Sequence, residues 1–173
     1  RILVVTMDTI APTISLNGLL VDTLNYMATY TEAGWMADDT CSGLSNVDVT
    51  GMVNTSVLGD YELVYTAYDK NGNTATASRM VYVRDLDDPT ISLLGYATID
   101  IEVHHPYVEA GVDVTDNYCT NMTVDIAGSV DIHTLGTYTL TYSVTDCNEN
   151  GPVSVQRVVN VVDTTAPVID IAM

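Results

Sequence analysis

Three short phrases recur along the chain, DTIAP at 8–12, DLDDP at 85–89 and DTTAP at 163–167, and each sets carboxylate or hydroxyl oxygens just before a proline. More oxygen donors stand where turns would carry them. In the first half these are Asp38, Asp39, Asp69, Asn71 and Asn73, beside Asp8; in the second they are Asp116, Asp146 and Asn148, beside Asp85, Asp87 and Asp88. Calcium takes about six to eight oxygen ligands in irregular geometry, so carboxylates and amides from separate loops can bind it without an EF-hand loop. Calcium is therefore the candidate cofactor. Magnesium suits the pattern less, because it prefers few protein ligands and a near-ideal octahedron. A second reading needs no metal, since Asp and Asn abound in turns because their side chains bond the local backbone.

Catalytic chemistry has less to work with. His104 and His105 are adjacent, so in a strand they point to opposite faces and cannot form one side of a site, and His133 is remote in sequence. No Ser-His-Asp order, Gly-rich phosphate loop or base beside a cysteine occurs, and the expectation is that the protein is not an enzyme. The cysteines Cys41, Cys119 and Cys147 form an odd set without a CxxC spacing, which allows one intramolecular bridge and supports no zinc or redox motif. Asn54 in NTS and Asn121 in NMT fit the N-glycosylation acceptor pattern. Glu32 and Glu109 lie in the matched strings YTEAG and YVEAG, and Arg79 and Arg157 open matched β-rich runs. They are either two recurrent ion pairs or four solvated residues.

The balance of charge narrows the partners. Lys and Arg number 5 against 23 Asp and Glu, a net charge of −18, which leaves too few cations for the row of phosphate contacts that nucleic-acid binding requires. The same excess repels anionic lipid surfaces, and no apolar run is long enough to span a membrane within this segment. With 47% hydrophobic residues the chain can nonetheless bury a core.

The elements that must position these residues are strands. Arg1, Arg79 and Arg157 open three similar runs, RILVV, RMVYV and RVVNV, at a regular spacing of 78 residues. TISLNG is matched by TISLLG, and VLGDYELVYTAYDKNGN by TLGTYTLTYSVTDCNEN, so two tandem repeats of about 80 residues follow. Tyr138, Leu140, Tyr142 and Val144 alternate with hydroxyl-bearing residues, as Tyr61, Leu63, Tyr65 and Ala67 alternate with Glu62, Val64 and Thr66. That period of two predicts strands with one buried face. Further strands are expected at 13–16, 47–53, 75–83, 98–103, 124–130 and 153–161. Tyr61 and Tyr138 each follow a Leu-Gly step, which is either a tyrosine corner or an ordinary turn before a core tyrosine. Glu149 stands where the first repeat has Gly72, which predicts a different conformation for the last loop of the second repeat.

DTTAPVIDI, PYVEAGVDVTDNYC, GSVDIHTLGTYTLTYSVTD and RVVNVVD together resemble the bacterial and algal surface-protein Ig-like repeat, a class also found in a pesticidal crystal protein and close to hyalin-type repeats. The resemblance implies an all-β fold of two tandem Ig-like β-sandwich domains with partial modules at both ends. The divisions are 1–7 as the last strand of a preceding repeat, 8–84 and 85–162 as the two repeats, and 163–173 as the linker and first strand of a following one. If the repeats take the Ig path, the start of the first strand, the B–C loop and the F–G loop share one end of each domain. Asp85, Asp87, Asp88, Asp116, Asp146 and Asn148 would then converge at a joint, and Cys119 and Cys147 would form a disulfide between two of those loops. The family implies extracellular modules of surface filaments, sheaths, hairs or adhesin stalks, whose partners are further repeats of the chain or copies of itself. The alternative is an adhesion module that recognises a carbohydrate or a receptor, and that reading requires Trp35 and tyrosines clustered at one loop end.

Overall fold

Only an extended strand puts Leu63, Tyr65, Ala67 and Asp69 on one face and Val64, Thr66 and Tyr68 on the other, and the first set is buried while the second is half-buried. The computed structural model of the protein describes residues 7–169, all of whose regular elements are strands. The chain divides into two units, one ending at Asp85 and the other beginning at Leu86.

In the first unit β1 (Thr13–Leu16) pairs antiparallel with β3 (Trp35–Asp38). A second sheet has the order β2 (Val21–Asn25), β6 (Thr74–Arg84), β5 (Gly59–Asp69), β4 (Leu44–Thr50), with β2 parallel to β6. The second unit repeats this plan. β7 (Thr90–Leu93) pairs with β9 (Val112–Thr115), and the larger sheet runs β10 (Val124–Ala127), β11 (Gly136–Val144), β12 (Val153–Val162), β8 (Thr98–Glu102), with β8 parallel to β12. Each unit is a two-sheet sandwich in which the short pair covers one face of the longer sheet.

Several strands differ from their expected limits for identifiable reasons. The runs at 47–53 and 124–130 stop at Thr50 and Ala127, because Gly51 and Gly128 turn the chain at φ of 94° and 96°. A Cβ at either glycine would collide with the carbonyl of Glu62 or Thr139. Val21–Asn25, Trp35–Asp38 and Val112–Thr115 escape a reading of periodicity, since runs of four or five residues carry too few alternations. Tyr61 and Tyr138 are half-buried where full burial is expected. Their hydroxyls donate to the carbonyls of Val57 and Thr134, each at 2.8 Å and four residues upstream, and this tyrosine-corner bond holds the rings at the rim of the core. Of the last strand read at 1–7, residues 1–6 lie outside the described residues, as do 170–173 of the linker and first strand expected in 163–173. Residues 163–169 form no strand, and the Thr164 and Thr165 hydroxyls, with their amides, pull the Glu102 carboxyl down to about 2.

The core holds charge as well as hydrocarbon. Arg79 faces the interior opposite Leu63 in the β5–β6 ladder, and Arg157 faces it opposite Leu140 in β11–β12. Arg157 is fully buried; its guanidinium donates to the carbonyls of Leu94 (2.6 Å) and Gly111 (3.1 Å), stands 3.0 Å from Glu109, and lies over the Tyr142 ring. Arg79 donates to the Asn17 carbonyl and pairs with Glu32 at 3.4 Å. The two glutamates are fixed in turn: Tyr30 and Tyr107 donate hydroxyls to them, and the amides of Gly34 and Gly111, both at φ 82°, donate at 2.8 and 2.7 Å. Desolvation raises both glutamate pKa values, but the tyrosine hydroxyls, glycine amides and arginines outweigh it, and both carboxyls titrate below the usual range.

A carboxylate whose folded pKa is depressed adds stability above its unfolded pKa and loses it as pH falls through the folded value. Stability to urea is therefore expected to drop as pH falls below the ordinary glutamate range near 4.5, with Glu109→Gln flattening that slope. At pH 7 the same substitution leaves Arg157 without its counter-charge and is expected to cost about 2–4 kcal/mol, read from the urea midpoint of the second unit.

Candidate functional site

Three loop ends of the first unit bring acids together. Asp8 precedes β1, Asp39 follows β3, and Asp69 ends β5; each offers a carboxylate oxygen, and the three oxygens lie within 4.8 Å of one another. Most of their hydrogen bonds are made to their own loops. Asp8 accepts from the Ile10 amide (2.9 Å) and reaches across to the Ser42 amide (3.0 Å). Asp39 Oδ1 takes the amides of Ser42 and Gly43, both at 2.8 Å, and of Cys41 at 3.2 Å. Asp69 Oδ1 takes the amides of Asn71 and Asn73, both at 2.8 Å, while its Oδ2 accepts from the Asn73 side chain at 2.6 Å. Asp39 is 8% exposed, and its Oδ2 is buried and accepts no hydrogen bond.

These bonds favour the charged forms. The Ile10 amide, with help from Ser42, holds the Asp8 carboxyl below its usual pKa. At Asp69 desolvation pushes upward and the Asn73 side chain, Asn73 amide and Asn71 amide prevail, so its pKa too is lowered. The exposed thiol of Cys41 is pushed up, first by its hydrogen bond to Asp8 and then by desolvation and the surrounding acids, which makes it a poor nucleophile.

The second unit repeats the arrangement 77 residues on. Asp116 corresponds to Asp39 and Asp146 to Asp69, as Asp85 corresponds to Asp8 in sequence. Asp116 Oδ1 takes the amides of Tyr118 (2.9 Å) and Cys119 (2.6 Å), and its Oδ2 is buried without a hydrogen bond. Asp146 takes the amides of Asn148 (2.9 Å) and Asn150 (2.7 Å) and the Asn150 side chain (2.7 Å). Asp116, Asp146 and the Cys119 sulfur lie within 4.8 Å of one another. That sulfur is committed to a disulfide with Cys147, with Cα atoms 5.8 Å apart. Asp85, the last residue of the first unit, is buried.

Other expected ligands stand apart. Asp38, Asp87 and Asp88 are exposed and belong to neither group, because Asp38 projects from β3 on the side opposite Ala37 and Asp87 is engaged by Asn117 at 2.6 Å. Asn71 and Asn148 are exposed and contribute backbone amides to the adjacent acids. The residues that sequence reasoning undervalued are Asn73 and Asn150, whose side chains lock Asp69 and Asp146. Their common offset of 77 residues was the available signal. Asn54 and Asn121 are exposed, with the Asn54 side-chain Oδ1 accepting from the Ser56 hydroxyl at 2.6 Å. His133, remote in sequence, meets His104 with Nδ1 atoms 2.8 Å apart, because a turn at His104 (φ 69°) brings the end of β8 against the 131–134 turn.

A family model described as bacterial surface protein, Ig-like domain, matches residues 14–83 and again 91–161. The chain belongs to this family. Its Ig-like domains place the loops before β1, between β3 and β4, and between β5 and β6 at the acid cluster, with the counterpart loops doing so for Asp116 and Asp146. No curated protein matches the chain significantly. Among solved structures it is similar to the lipoprotein BT2262 from Bacteroides thetaiotaomicron, at 16% identity over 85% of this chain and 98% of that one, with a TM-score of 0.40. Fibronectin(III)-like modules of Clostridium thermocellum CbhA are 10% identical over 93% of this chain and 100% of that one, TM-score 0.39. The protocadherin GammaB4 extracellular domain is 12% identical over 88% of this chain and 33% of that one, TM-score 0.35. Likenesses this weak carry no argument about role.

Against expectation, the last loops of the two Ig-like domains hold the same conformation. Glu149 adopts φ 72° where Gly72 has 90°, and the bonds of Asp146 to both flanking amides match those of Asp69. The carboxylate clamp and the neighbouring disulfide impose a left-handed residue on a side chain that resists it. Glu149→Gly is expected to stabilise the second unit by about 1 kcal/mol, seen as a higher thermal midpoint.

Proposed function

We propose that the chain is a load-bearing part of an extracellular structural protein, its Ig-like domains forming the rod or building block of a surface filament, sheath, hair or adhesin stalk. The observation that carries this reading is the parallel pairing of the first and last strands of the larger sheet in each unit. β2 lies near the entry to the first unit and β6 ends it, and five residue pairs join them; β8 and β12 are joined likewise. Tension between the ends of such a unit pulls parallel neighbours in opposite senses along their length. The evenly spaced bonds of the ladder are then loaded together in shear, where an antiparallel hairpin pulled from its open end would lose them one by one. The proposed partners are further repeats of the same chain or neighbouring copies, head to tail or side by side, and the role is non-catalytic.

The rival role, a carbohydrate- or receptor-binding module, needs aromatic rings grouped on a loop end. Trp35 instead lies in β3, 37% exposed, with its ring tilted at 5.4 Å against the buried Tyr65. It serves as a cover for the core.

Pulling single molecules of the chain tests the proposal. The first unit is expected to release roughly 25 nm of contour length, from about 77 residues at about 3.3–3.6 Å each. The second releases roughly 10 nm less, because the disulfide keeps 28 residues of separation closed, and reduction restores the difference. Both should resist as sheared ladders do. Unfolding at the low forces of strand unzipping, or glycan-array binding abolished by Trp35→Ala, would replace this reading with the adhesive one.

A further inference from the structure

A carboxylate oxygen that is buried and accepts nothing is uncommon in a folded protein, because it has given up water without compensation. Asp39 Oδ2 is such an atom, on a residue 8% exposed, while Oδ1 of the same side chain is saturated by the amides of its own loop. The same oxygen recurs at the equivalent position of the second unit, on Asp116. In the first unit Asp39 belongs to a group whose other members, Asp8 and Asp69, accept from amide donors, and none of the ion pairs among the described residues involves the three.

We propose that this end of the first unit binds one calcium ion, with Asp8, Asp39 and Asp69 as protein ligands and water completing the shell. The spacing fits. Two oxygens on one calcium at about 2.4 Å stand no more than about 4.8 Å apart, and the three carboxylates meet that limit pairwise. The donor type fits as well: three hard carboxylate oxygens with no imidazole or thiolate in the first-unit group, where zinc would require nitrogen or sulfur. The irregular origin of the ligands, from three separate loops, suits calcium over magnesium. An ion here would tie the entry segment before β1 to the loops after β3 and β5, which in the second unit are already joined by the Cys119–Cys147 disulfide. Ser42 and Lys70 occupy those cysteine positions in the first unit, so there the ion would be the main cross-link. The inference stands apart from the load-bearing role, since a mechanical module need not bind metal and a calcium module need not bear force.

The test is binding of calcium to the whole 173-residue chain in 0.15 M sodium chloride, by calorimetry and by displacement of terbium, whose luminescence nearby tyrosine sensitises. One ion bound at the first unit is expected, with Kd on the order of 0.1–1 mM, as in extracellular modules. Millimolar calcium should raise the melting temperature, because it binds the native state alone. Asp39→Asn keeps an oxygen for the loop amides and removes the charge; it should abolish one equivalent or weaken it about 10–100-fold. Asp38→Asn, at the exposed neighbour, should change nothing. If Asp39→Asn does not fold, Asp8→Asn provides the same comparison at another member of the group. Absence of binding at millimolar calcium, an equal response to magnesium, or full retention of the ion by Asp39→Asn and Asp8→Asn would overturn the site and leave the acids as turn formers.

Discussion

The buried guanidinium is the constraint around which each domain is arranged. The first unit fully buries few apolar side chains, Leu63, Tyr65, Ala67, Val81 and Val83, and the chain has no phenylalanine. Packing of so small a core leaves the relation of its two sheets weakly determined. Arg79 adds direction: it leaves β6 in the larger sheet and ends on the carbonyl of Asn17, just beyond β1 in the smaller one. Arg157 does the same from β12 to Leu94, just beyond β7. A charge so placed must be matched, and the match dictates the next element. Glu32 and Glu109 have to reach inward, so the segment that carries them is held by a glycine at positive φ and a tyrosine hydroxyl.

At the other kind of constraint, the acid-lined loops, side chains do the work that regular structure cannot. A sandwich in which most strands have four or five residues must turn often, and each turn leaves amides without a ladder partner. Asp39, Asp69, Asp116 and Asp146 absorb those amides with one carboxylate oxygen each. The clamps explain why a loop with Glu149 takes the shape of one with Gly72, since a carboxylate bonded to amides two and four residues ahead leaves the intervening backbone little choice. The cost is charge density. With 23 acidic residues against 5 basic ones, few cations are available to offset it from within the chain.

Most of this architecture is visible in the sequence because the protein states it twice. Period-two alternation locates β5 and β11, β-rich runs locate β6 and β12, and the repeat transfers any feature from one copy to the other. What escaped has physical causes. Strands of four residues, such as Trp35–Asp38, carry too little pattern, and Gly51 and Gly128 end strands that the hydrophobic run alone would extend. The candidate site was legible in its acids and overdrawn in its extent. Asp38 and Asp39 are neighbours in sequence, yet one is exposed on β3 and the other is buried beyond its end, and only the position of the strand end separates them. Asn73 and Asn150 act through side-chain bonds to residues four positions earlier, which composition does not reveal. The encounter of His104 with His133 depends on a left-handed histidine, a conformation for which the sequence offers no requirement.

The two domains differ most where their loops close, and the difference has a thermodynamic direction. In the second, a disulfide spans 28 residues and in the chain-entropy view removes about 3–4 kcal/mol of freedom from the unfolded state. In the first, Ser42 donates its amide to both Asp8 and Asp39, so the loop is fastened by native-state bonds alone. A covalent closure works at any pH or ionic composition. A closure made of carboxylates works only while they are ionised, and it is sensitive to whatever cation stands near them. The same fold thus carries one end fastened permanently and one fastened conditionally, with that contrast traceable to two positions, Ser42 against Cys119 and Lys70 against Cys147.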